Sequence, residues 1–93
     1  PALKRLLDFM AVNDELKIEI QGHVNAPGYK NNGRIKTLSE NRAKAVKKFL
    51  KDNGIEGNRM VVKGYGNTEM LFEEPINIHQ EEANRRVEIK IID

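Results

Sequence analysis

Between Leu16 and Tyr65 the hydrophobic period of the chain changes twice, and no other feature narrows its possible folds so much. In LKIEIQGH, Leu16, Ile18 and Ile20 alternate with Lys17, Glu19 and Gln21, the period-two pattern of a strand with one buried face. In TLSENRAKAVKKFLKDNG, Ala43, Val46, Phe49 and Leu50 recur at helical spacing and leave Lys44, Lys47, Lys48 and Lys51 for solvent. RMVVKGYG then reads as a short buried strand ending at the turn residues Gly64 and Gly66. Strand, helix and strand in that order are the parts of a right-handed parallel crossover.

Further elements flank that unit before and after it in sequence. PALKRLLDFMAV puts Pro1 at a first-turn position, where a missing N–H costs nothing, and sets Leu3, Leu6, Leu7 and Met10 on one helical face. Asn13 and Asp14 are expected to end that helix. RRVEIKIID closes the chain as a strand with Val87, Ile89 and Ile91 expected inward and Glu88 and Lys90 outward. From Asn67 to Ala83 the sequence is polar and irregular, broken by Pro75, with a helical turn expected near Gln80 to Ala83. For the main helix, Thr37 with Glu40 fits a capping box, with Ser39 as a rival cap, and Gly54 before Ile55 fits a left-handed stop. The order helix, strand, helix, strand, strand predicts a two-layer α+β domain, with helices on one face of a mixed sheet.

At 93 residues the chain predicts a single domain, 1–93, with no internal repeat or linker. A content of 39% hydrophobic and 32% charged residues without Trp points to a folded domain with an aliphatic core. The net charge is +2, and acids and bases are interspersed rather than blocked, so no nucleic-acid footprint is drawn. No apolar run approaches the roughly 18 residues of a spanning helix, and no signal segment opens the chain. Pro1, in place of an initiating Met, is expected of a mature form or an excised fragment, with any targeting signal outside it. The absence of Cys excludes disulfides and thiolate metal sites.

The segment from His23 to Lys36 is far longer than the usual connection of about 2 to 6 residues. It leaves the C-terminal edge of a strand and feeds a helix start, where free N–H groups and partial positive charge favour ligands. His23 and His79 are the only histidines, and they lack ligand spacing, so no metal or other cofactor is expected. GYG lacks the Lys-Ser/Thr of a phosphate loop. No acid, base or nucleophile constellation emerges, and an enzyme is the least supported class. His23 reads as a structural hydrogen-bonding residue, and Asn31, Asn32 and Gly33 as turn formers. Arg42, in the first turn of a helix bounded by Thr37, would need an anion to offset the helix dipole. That anion is either an internal partner such as Glu19 or Glu88, or a ligand carboxylate shared by the guanidinium and the helix-start amides.

Taken in order, GHVN, a Gly-containing loop, LSENRAKAV, FLKDNGI, NRMVVKGYG and NRRVEIKI resemble the OmpA-like domain family from Ile18 to Ile91. That family includes the periplasmic domain of outer-membrane protein A, the peptidoglycan-associated lipoprotein and the flagellar stator proteins. Its pattern is GHTD, an Asn followed by LSxxRAxxV, then GI, a GxG turn and NRRVEI. The resemblance implies a βαβαββ fold whose first strand is absent here. The domain is thus expected to be truncated at its N-terminus, leaving Arg85 to Ile92 with an unpaired side open to self-association.

Function follows from the same resemblance. It implies a noncatalytic, periplasmic module that holds the peptide stem of peptidoglycan through diaminopimelate. Such a module ties an outer-membrane or envelope protein to the cell wall, with membrane contact only through the rest of the parent protein. By position, Arg42 would take the diaminopimelate carboxylate and Asn25 its ammonium. Gly28 and Leu38 would complete the ligand set through neutral backbone groups, with His23, Arg85 and Arg86 in support. Arg85 and Arg86 would point to opposite faces if both lay in the last strand, so at most one could reach the site from within the sheet. Val24 and Asn25 depart from GHTD, and Ile35 stands where the family has Asn. These departures carry a second expectation, an envelope scaffold or protein-interaction domain with weak or lost wall binding.

Overall fold

The computed structural model describes residues 2–92, and Pro1, expected in the first helical turn, lies outside them. The elements are α1 (Ala2–Val12), β1 (Ile18–Gly22), α2 (Gly33–Asp52), a 3-10 turn (Gly57–Arg59), β2 (Met60–Gly64), α3 (Ile78–Asn84) and β3 (Val87–Ile91). β1 is the central strand, parallel to β2 with Ile18 opposite Met60 and Gly22 opposite Gly64. On its other side it is antiparallel to β3, with Ile18 opposite Ile91 and Gly22 opposite Val87. This is the mixed sheet of a two-layer α+β domain, and the crossover from β1 to β2 runs through α2.

The buried core consists of Met10, Ile18, Ile20, Ala43, Leu50, Ile55 and Met60. Ile18 and Ile20 take the inward face of β1, while Ala43 and Leu50 are the fully buried apolar points of α2. Two glycines let the layers touch. A Cβ on Gly22 would overlap the backbone carbonyl of Ser39, and one on Gly64 would overlap Glu40 and Ser39. The end of α2 follows its sequence signal: Gly54 has φ 98°, Ile55 N donates to Leu50 O at 3.0 Å and Gly54 N to Lys51 O at 3.1 Å. That pair of bonds, with Ile55 buried, is a Schellman stop.

Several expectations need correction. The helix begins at Gly33, capped by Asn32, whose side chain accepts from Ile35 N at 3.1 Å. Neither Thr37 nor Ser39 is the cap, and the connecting loop is only 23–32. Arg42 accordingly lies in the third turn of α2, beyond the reach of the helix-start dipole. α3 extends to both sides of the turn expected at Gln80 to Ala83, with Asn77 as its cap, accepting from Gln80 N at 2.9 Å.

The remaining corrections concern burial. Ile89 and Ile91 share a sheet face with Ile20 and Ile18 but remain 37% and 55% exposed. α2 packs mainly on β1 and β2, and over β3 Ala2, Leu3, Leu6, Val46, Val87 and Ile89 line an open apolar groove. Leu3 is likewise exposed, and β2 has Val61 half in solvent. The buried end of RMVVKGYG is instead Arg59, 6% exposed. Its guanidinium donates to Met10 O at 2.8 Å, Asn13 O at 2.6 Å and Leu16 O at 3.0 Å. An arginine at the end of α1 thereby satisfies carbonyls the helix leaves open and fastens α1 and its link to β1 onto the start of β2.

Candidate functional site

Beyond its last ladder residue β1 continues as a zipper. Tyr65 N donates to Gly22 O at 3.0 Å, His23 N to Arg86 O at 2.9 Å and Val24 N to Gly66 O at 2.9 Å. These bonds hold His23 and Val24 between the segments that leave β2 and enter β3. Successive side chains alternate, so Val24 is buried at 2%, and Asn25 emerges half-buried at the start of the loop.

The loop is tied from several sides. Asn67 Nδ2 donates to Ala26 O at 2.9 Å and to Tyr29 O at 2.7 Å. Gly28 sits between them at φ 77°, a left-handed turn position that a side chain would strain. Ser39, wholly buried, donates to Lys36 O at 2.7 Å and accepts Gly66 N–H at 2.9 Å. One hydroxyl thus fastens α2 to the GYG turn. Leu38, beside it on α2, is 48% exposed.

Arg42 reaches back to this loop, donating from Nη1 to His23 O at 3.2 Å. Among the described residues it forms no ion pair. The internal partners weighed from the sequence are otherwise engaged: Glu19 accepts from Gln21 at 2.7 Å, and Glu88 is held by Arg86 at 2.6 Å. Arg42 is therefore a half-buried cation with spare donors, and its contact at His23 lies two residues along the backbone from Asn25. Extended chain of that length spans at most about 7 Å.

The remaining sequence candidates separate. Arg85 is the C-cap residue of α3 and is exposed; Arg86 precedes β3. Neither lies within the strand, so the opposite-face premise for the pair does not apply. Arg86 crosses under the outer sheet face, donating to Glu88 at 2.7 Å from Nε and to Glu69 O at 2.8 Å from Nη2. Together with Gln21, His23, Tyr65 and Glu69 it lines a polar recess.

His23 fills the floor of that recess. Its ring stacks on Tyr65 with centroids 5.2 Å apart and planes 7° from parallel. Nε2 is 3.5 Å from Glu88, yet neither ring nitrogen has a hydrogen-bond partner among the described residues. Burial lowers the His23 pKa from 6.5, the Arg86 charge lowers it further, and Glu88 and Glu69 oppose in part. The imidazole is accordingly held in its neutral form.

Sequence reasoning overlooked Asn84, which is wholly buried. Its Nδ2 donates to Asn25 Oδ1 at 2.8 Å and to Phe72 O at 2.7 Å, and its Oδ1 accepts Phe72 N–H at 2.9 Å. The residue was in view as the first letter of NRRVEIKI. Its partner, however, lies 59 positions away, and nothing local marks the pairing. The arrangement as a whole offers a carboxylate a guanidinium and offers a second polar group an amide, with neutral backbone between.

A family model described as the OmpA family matches residues 1–87. Among curated relatives, a segment of photosystem I P700 chlorophyll a apoprotein A2 from Gloeobacter violaceus is 36% identical, covering 98% of this chain and 11% of that protein. Outer membrane porin F from Pseudomonas fluorescens is 32% identical, covering 96% of this chain and 26% of that protein. The chain therefore spans only a small part of each. Of solved structures, the periplasmic domain of Helicobacter pylori MotB superposes with a TM-score of 0.81 at 24% identity, over 97% of this chain and 59% of that one. The peptidoglycan-associated lipoprotein of Burkholderia pseudomallei gives a TM-score of 0.75 at 18% identity, over 97% of this chain and 72% of that one. These two likenesses show the fold.

Proposed function

The chain belongs to the OmpA family, and from that membership we propose that it is a peptidoglycan-binding module acting through diaminopimelate of the stem peptide. The family is known for peptidoglycan binding, and its members are generally noncatalytic structural modules. On this reading the domain ties an outer-membrane or envelope protein to the cell wall from the periplasm. Arg42 takes the ligand carboxylate, and Asn25 stands at the amine end of the same residue. Gly28 and Leu38 offer backbone groups along the loop. His23 and Arg86 support the loop from beneath, while Arg85, exposed at the end of α3, stands aside from it.

The observation that carries this reading is the state of Arg42. A half-buried guanidinium whose one internal contact is the His23 carbonyl has most of its donors open to a ligand. Pull-down of the domain on purified sacculi tests the reading, with Arg42→Ala beside it. Truncating one member of a buried charged pair costs on the order of 2 to 5 kcal/mol, so the variant is expected in the unbound fraction while still folded, with a stability loss of about 1 kcal/mol for the bond to His23 O. Equal retention of both proteins would leave Arg42 without a ligand role. The alternative, an envelope scaffold with weak or lost wall binding, is favoured by one feature: the oxygen of Asn25 is already engaged by Asn84. Failure of the unmodified domain to bind sacculi would support it.

A further inference from the structure

We infer that the Asn25 end of this site is a hydrogen-bond donor, so that the site prefers an N-acylated amino-acid carboxylate over one with a free ammonium. The inference rests on the wall-binding reading above and specifies its ligand. It starts from Asn84. That amide is fixed by one backbone unit at two points: Phe72 N–H must face an oxygen, and Phe72 C=O must face an N–H donor. Only one orientation of the Asn84 side chain satisfies both. Its second N–H then points at Asn25, and only an acceptor can meet it.

The orientation of Asn25 follows from that of Asn84. Oδ1 turns toward Asn84 at 2.8 Å, which leaves Nδ2 on the other side of a half-buried residue, without a partner among the described residues. Oδ1 keeps one lone pair, but the amino group brings two N–H donors. A ligand ammonium arriving there meets mainly donors with donors of its own. An aspartate at this position would differ, since its second oxygen would remain free to accept. Arg42 is donor-only, so the two side chains together ask the ligand chiefly for acceptors. Acylation of the ligand amine, as in a cross-linked stem peptide, supplies one: it removes the cation and adds an amide carbonyl beside the carboxylate.

The experiment is calorimetric titration of the intact domain with a diaminopimelate-containing tripeptide and with the same peptide acetylated on its side-chain amine. The acetylated peptide is expected to bind about fivefold more tightly, the worth of one neutral hydrogen bond. Asn25→Asp is expected to reverse that order. In the unmodified protein, the Asn25 side-chain amide resonances should move on adding the acetylated peptide, a readout that requires no variant. Equal affinities, or preference for the free amine in the unmodified domain, would overturn the inference while leaving wall binding intact. Absence of binding by either peptide to either protein would overturn both readings together.

Discussion

At the scale of single residues, the two ends of the candidate site behave differently although both are polar. Arg42 keeps its donors open, whereas His23 is enclosed and Asn25 is oriented by Asn84 from across the chain. Enclosure has a pH signature. The His23 pKa is depressed in the fold, so the unfolded chain binds a proton that the native ring refuses. The resulting stability is complete above the unfolded value of 6.5 and declines as pH falls below it toward the lower native pKa. The facing groups are Arg86, Glu88 and Glu69, and the two acids only partly offset burial. Melting temperature measured from neutral pH to about 5 should therefore drop more steeply in the unmodified domain than in His23→Phe. Phe keeps a ring against Tyr65 and needs no hydrogen bonds, so it should fold; identical slopes would show that His23 does not titrate as argued.

At the scale of elements, the start of α2 shows how local signals compete. Thr37 and Glu40 make a capping box on paper, yet Asn32 closes the helix about one turn earlier because its carboxamide meets Ile35 N. A box inside a helix has no orphan donors to satisfy. Replacing Asn32 by Ala should therefore lower stability by about 0.5–2 kcal/mol in urea unfolding, while Thr37→Ala should change it by only a few tenths. The reverse ranking would restore the later start. This shift by a turn also changes the meaning of Arg42. Its place in the third turn rather than the first means that tertiary contact with the loop, and not the helix dipole, sets its surroundings.

At the scale of the whole molecule, the sheet order leaves β3 with one neighbour among the described residues, β1, and leaves Ile89 and Ile91 incompletely covered. An open strand edge beside apolar surface invites a second copy to pair there, although the alternating Glu88 and Lys90 temper it. Light scattering at rising concentration is expected to show reversible dimers that Ile91→Lys suppresses; a monomer throughout would mean that the edge is sufficiently guarded by its charges. Much of this architecture was legible beforehand. The period of Leu16, Ile18 and Ile20, the inward stripe ending at Leu50 and the Gly54 stop each depend on residues within a turn or two of one another. Contiguous chain therefore determined the identity of the main elements, and the ordered motif series determined the family. What only the tertiary structure decided is how polar groups are shared. Arg59 ties the start of β2 to α1 and its following link, Ser39 joins a helix to a glycine turn, and Asn84 sets the direction of an amide 59 positions away. A hydrogen bond depends on the position and angle of both partners, and for residues so distant in sequence those are fixed only when the chain has folded.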